Sequence, residues 1–198
     1  MLAPLIVVLW LAGTITFAGS TDDGRCVPQP SSTCDAAAIT EFTTRVQEYL
    51  RVRQGAASGL PLGRPFDDPA EPLAVRKALR QAIRDARPDA RVGDLFTPGA
   101  AAAFRHIVTA TAAAHRVDPK DLVRELRAER EPGAKHPSVN HRYDWRLGAW
   151  MWPALLHALP SLPEDLQYRI VDNDLVLVDL QAGLVVDILE DAMAADED

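Results

Sequence analysis

The sequence predicts an α+β protein, mainly α, in which a body of roughly four helices is followed by a small C-terminal antiparallel β-meander. Three observations predict it. Asp68-Pro69, Thr97-Pro98 and Asp118-Pro119 each place a capping side chain directly before a proline, the pattern of a helix start. Apolar residues recur at steps of three and four between these starts. After Pro163 the pattern changes to short apolar runs punctuated by turn residues.

The first helix is expected to be capped by Asp35 and to carry Ile39, Phe42, Val46, Tyr49 and Leu50 on its buried side. It gives way at residues 55–67, a stretch rich in Gly and Pro. Asp68 opens a second helix through Val75, Leu79, Ala82, Ile83 and Ala86, stopped by Pro88. Thr97 opens a third with Phe104, Ile107, Val108 and Thr111 on one side. Asp118 opens a fourth with Leu122, Val123 and Leu126, which ends before Pro132-Gly133. Residues 132–163 form a connection rich in Pro and Trp, with a short helix expected over 153–159. Strands are expected at 168–171, 175–180 and 184–189, with turns at 172–174 and 181–183, and Gly183 in the left-handed position of a three-residue loop. A three-stranded sheet this small must pack on the helices to persist.

The N-terminus has a different character. Residues 1–20 carry no charged side chain, and Leu2, Leu5, Ile6, Val7, Val8, Leu9, Trp10 and Leu11 form an apolar block ending in Ala18-Gly19-Ser20. This is the pattern of a signal peptide cleaved after Ala18 or Ser20, which implies a periplasmic or extracellular protein. The alternative is an uncleaved anchor, since about 20 apolar residues can just span a bilayer. In an oxidising compartment Cys26 and Cys34 are expected to pair as a staple, closing a nine-residue ring. Chain entropy makes such a ring worth roughly 2.5 kcal/mol. The expected organisation is therefore signal peptide 1–20, disulfide-looped tail 21–34, helical body 35–131, Pro/Trp-rich connection 132–163, β-meander 164–191 and acidic tail 192–198.

The runs FTTRVQEYLRVR (42–53), DDPAEPLAVRKALRQAIRDAR (67–87), GDLFTP (93–98) and LPSLPEDLQYRIVDNDLVLVDLQAGLVVDIL (159–189) resemble a family of uncharacterised exported bacterial proteins. That resemblance implies an address in the bacterial envelope and carries no activity. The closing strands are also similar, over about 20 residues, to the C-terminal strands of small periplasmic nickel/cobalt-homeostasis proteins.

Charge is distributed unevenly over the 198 residues. The net charge is −7, yet residues 36–130 hold 16 Arg or Lys against 12 Asp or Glu, and residues 131–198 hold 4 against 13. Export and the acidic balance exclude a nucleic-acid partner. On the second helix Arg76, Arg80, Arg84 and Arg87 fall on one stripe opposite the apolar side. Such a stripe is either a solvated face or a surface for an acidic envelope protein or an anionic lipid surface. Tyr143, Trp145, Trp150 and Trp152 form either a stacking surface or the packing of the connection against the core.

Two candidate chemical sites compete with this binding reading. His136, His141 and Asp144 carry the ligand types of a weak transition-metal site, although Arg142 between them opposes a cation. His106 and His115 fall on nearly opposite sides of the third helix and cannot share a metal. With 181–183 as the loop, Leu180 faces Leu184, Asp179 faces Val185 and Leu177 faces Asp187, so Asp179 and Asp187 share one face at about 6–8 Å. Lining a cleft, they would suit hydrolase-type acid/base work; on an exposed sheet they merely keep an edge soluble. The nucleophile and phosphate-loop signatures are missing from the chain: Gly-x-Ser-x-Gly, Ser-x-x-Lys, His-Glu-x-x-His and a glycine-rich loop. No cofactor is implied, and the expected role is non-enzymatic binding in the envelope.

Overall fold

The computed structural model describes residues 32–62, 70–148 and 150–194. Local chemistry explains most helix boundaries. In α3 (Pro98–His115) the Thr97 side chain accepts from the Ala100 N–H, and in α4 (Pro119–Glu129) Asp118 accepts from the Lys120 N–H at 2.8 Å, with proline in the first turn of each. α2 (Glu71–Ala86) ends just before Pro88 as expected but starts later than expected: Ala70 occupies its cap position with no side-chain cap bond and Pro72 stands in its first turn, while Asp68 and Pro69 lie outside the described residues. α1 (Ser32–Ala56) begins three residues before Asp35, which therefore sits in the first turn and not at the cap. From there its carboxylate meets His106 Nδ1 of α3 at 2.7 Å. Cys34 lies in that same turn; Cys26 and the signal-peptide segment lie outside the described residues. The short helix of the connection is α5 (Pro153–Ala158), preceded by a 3-10 turn at Trp145–Leu147.

The sheet has the expected three antiparallel strands in the order β1 (Leu166–Val171), β2 (Asp174–Asp179) and β3 (Leu184–Leu189). Gly183 does adopt a positive φ of 61°. The register differs from expectation near the second turn. Leu177 faces Asp187 as expected, but a bulge between Leu177 and Val178 shifts the remaining pairs, so Val178 faces Val185 and Asp179 faces Leu184. The loop is thus four residues, 180–183, and Asp179 draws it closed by accepting the Ala182 N–H at 2.7 Å.

Both sides of the sheet are covered. One faces the helices, where Phe42, Phe96, Phe104 and Tyr168 pack with ring centroids between 4.8 and 6.4 Å, together with Leu79, Ile83 and Leu155. The other presents Val176, Val178, Val185 and Ile188 to Val139, Tyr143 and Leu147 of the connection. The connection also caps the sheet's edges. The Asn140 N–H donates to Val185 O, the Val185 N–H to His141 O and the Tyr143 N–H to Gly183 O, all within 2.9 Å. On the opposite edge the Ile170 N–H donates to Trp150 O at 3.3 Å. Backbone groups that would template further strands are thereby occupied. The stretch expected as an acidic tail begins inside the core, because Ala192 and Met193 are buried and the Met193 N–H donates to Asn173 O at 2.8 Å. Among the described residues no helix is long and apolar enough to cross a membrane.

Candidate functional site

Leu79 and Ile83 of α2 are buried in the core, and Arg76, Arg80 and Arg84, spaced four apart, run along one flank of the helix beside them, Arg76 and Arg84 exposed and Arg80 half-buried. Arg80 lies deepest, donating from NH1 to Ala182 O at 2.8 Å in the β2–β3 loop. Gly183 sits beneath this contact. A Cβ there would lie 3.5 Å from Arg80 NH1, 3.8 Å from the Arg76 side chain and 3.8 Å from Trp145 Nε1. The edge segment that pairs with β3 brings a further guanidinium, Arg142, to the same place. Burial pushes the Arg80 pKa down, and the positive charges of Arg142, Arg76 and Arg84 push it further. Among the described residues none of these four guanidiniums is ion-paired with a carboxylate. Uncompensated like charge held at a surface is an arrangement that attracts an anion.

The stripe read from the sequence is therefore modified in two ways. Arg87 leaves it: its guanidinium lies 5.1 Å from the Tyr49 ring centroid and 3.6 Å from Asp94, fixing the end of α2 to α1 and the next loop. Arg142 joins it, and sequence reasoning missed that because the pairing to Leu184 is long-range. Leu73 was also missed, although its signal was present. It stands three, four, seven and eleven residues ahead of Arg76, Lys77, Arg80 and Arg84, hence on their side of the helix, and it is 68 % exposed.

The tryptophans do not form one stacking surface. Trp145 is 37 % exposed and packs edge-on against Tyr143, beside the arginines. Trp150 packs on the helical core and pairs with the edge of β1, while Trp152 begins α5 and meets His115 edge-on at 5.6 Å.

His136, His141 and Asp144 do line one open hollow of about 500 Å³, with Lys135, Arg142 and Arg146. Each is otherwise engaged. His136 Nε2 meets Asp174 at 3.1 Å, His141 Nδ1 meets Val139 O at 3.0 Å, and Asp144 binds Arg146 at 2.6 Å. The hydrogen bond from Arg146 holds the Asp144 carboxyl well below the usual carboxylate range. Among the described residues no three His, Cys, Asp or Glu side chains converge closely enough to hold a metal ion. The cations around the hollow oppose one as well.

Asp179 and Asp187 do share the helix-facing side of the sheet, but neither lines a cleft, and neither keeps an exposed edge soluble. Both are fully buried. Asp179 accepts from Tyr49 OH at 2.8 Å, Arg53 Nε at 2.7 Å and the Ala182 N–H. Arg53 also donates to Asp165 and Gln181, at 2.7 Å each. Asp187 accepts the N–H groups of Gly93, Leu95, Phe96 and Ile188, at 2.6–2.9 Å. Burial raises the Asp187 pKa while those four donors oppose the rise. Their lone pairs are spent on joining the sheet to α1 and to the loop before α3, and no substrate can reach them. What remains for chemistry on the surface is the guanidinium cluster with Trp145. No family model, curated protein or solved structure matches this chain.

Proposed function

We propose that this protein is a non-enzymatic binding module exported to the bacterial envelope, which engages an anionic partner through Arg76, Arg84 and Arg142, with Arg80 fixing the cluster against the β2–β3 loop. The apolar N-terminal block and the resemblance to exported bacterial proteins support the address. The observation that carries the binding reading is the cluster of guanidiniums around Gly183, which has no carboxylate partner, whereas buried Arg53 is paired with Asp179. Holding like charges together costs folding energy, and a cluster kept without a carboxylate partner suits a ligand that supplies one. The sealed aspartates and the arginine-lined histidine hollow leave acid/base catalysis and metal binding without a comparable site.

The test is retention of the purified protein on a poly-glutamate matrix at low salt. A chain of net charge −7 is repelled unless a local cluster holds it. Wild type is expected to be retained and released by salt, and Arg76→Glu/Arg84→Glu to flow through. Flow-through of the wild type overturns the reading. Cell fractionation with intact mass tests the address: a soluble periplasmic species shortened by 18 or 20 residues is expected.

A further inference from the structure

The four guanidiniums share their surface with apolar side chains, and this combination narrows the class of partner. Leu73 projects from α2 one turn before Arg76 and Lys77, so it lies beside the cations on the outer side of the helix. Trp145 stands beside the stripe, its indole Nε1 3.8 Å from the Cβ position of Gly183 that Arg76 and Arg80 also approach. Leu73 and Trp145 are two of only four large apolar side chains that stand exposed among the described residues. Asp85 turns off the stripe and bonds Gln81 at 2.8 Å, leaving Arg76, Lys77, Arg80, Arg84 and Arg142 uncompensated.

An acidic protein needs the cations and gains little from an exposed leucine ahead of them. A lipid surface uses both: guanidiniums bind headgroup phosphates in a bidentate manner, while Leu and Trp enter the boundary between headgroups and acyl chains. We propose that the outer side of α2, with Arg142 and Trp145, docks on an anionic phospholipid surface, Arg76, Arg84 and Arg142 contacting headgroup phosphates and Leu73 and Trp145 inserting at the interface. This rests on the anionic-partner reading above and names the partner. Arg80 is a positioning residue, because its NH1 is committed to Ala182 O and holds the stripe against the β2–β3 loop. The net negative charge does not forbid docking, since screening over about 8 Å at physiological salt lets the nearest charges decide.

The experiment is co-sedimentation of the exported, processed protein, freed of its apolar N-terminal block, with phosphatidylcholine vesicles, with and without phosphatidylglycerol. The expected result is binding that requires phosphatidylglycerol and falls with salt. Each basic residue near an anionic surface contributes about five-fold to partitioning, so Arg76→Gln/Arg84→Gln weakens binding about 25-fold. Both side chains are exposed, so the variant folds. Trp145→Phe removes the blue shift in tryptophan emission that accompanies wild-type binding, and Leu73→Ser weakens binding without altering salt dependence. Binding that ignores phosphatidylglycerol, or that the double glutamine variant leaves unchanged, overturns the proposal. If vesicles fail while poly-glutamate retention persists and depends on Arg76 and Arg84, the lipid assignment falls and the anionic-partner reading stands. If both fail, both fall.

Discussion

Among the described residues Arg53 is the one cation within bonding distance of the fully buried Asp179, and replacing it with methionine isolates the energy of that pair. Methionine keeps much of the apolar stem and removes all the donors, including those to Asp165 and Gln181. Those two acceptors are only part-buried and find water instead, so their loss costs little. Asp179 cannot. It keeps the Tyr49 hydroxyl and the Ala182 N–H, but a carboxylate without exposure then has no counter-charge. Breaking a buried pair from one side costs about 3–5 kcal/mol, or about 6–20 °C in Tm for a chain of this size. Asp179→Asn is expected to cost less, about 1–3 kcal/mol, because Arg53 retains Asp165 and Gln181 and the amide oxygen can still accept the Ala182 N–H. The double variant should cost less than the sum of the two, with a coupling of about 2 kcal/mol. Urea unfolding followed by circular dichroism measures all four corners of this cycle. A cost below about 1 kcal/mol for Arg53→Met, or an additive cycle, refutes the account of Asp179 as a charge that folding must match.

Three further outcomes follow from the same network. Asp187→Asn is expected to lose at least about 2–4 kcal/mol in thermal or chemical unfolding, because each carboxylate oxygen takes two backbone N–H groups and an amide nitrogen in either place meets donors with donors; a neutral Asn substitution would sink this. All three tyrosines are held above their ordinary pKa of 10, Tyr143 at about 12, chiefly by burial. The unfolded chain therefore loses phenolic protons first, so stability holds below pH 10 and declines above it, with absorbance at 295 nm rising only as the protein unfolds; an ordinary titration at pH 10 in the folded state contradicts it. Gly183→Ala places a Cβ at a φ of 61° and 3.5 Å from Arg80 NH1, so a loss of about 1 kcal/mol is expected, and an unchanged melting temperature would show that the loop is not held as described.

How much of this was legible in the sequence depended on the range of the forces involved. Thr97 and Asp118 announce helix starts because a cap and a proline act within one turn. The alternating runs after Pro163 and the turn at Gly183 are equally local, and they placed the strands to within two residues. The arginine stripe on α2 was readable for the same reason, since one helix's periodicity decides which residues point outward. By itself, then, the sequence determined the class of fold, the order of its elements and the cationic side of α2. Only the tertiary structure decided what each charge does. Arg87 turns inward to Tyr49, Arg142 is delivered by pairing with β3, and the bulge at Leu177/Val178 resets the register. Asp179 and Asp187 look like surface acids or a catalytic pair until α1 and the loop before α3 cover them. Apart from the bulge, which arises within one hairpin, these outcomes depend on partners about 40 to 130 residues away in the chain, brought together by burial of a shared core, and no local pattern records which partner a side chain will meet.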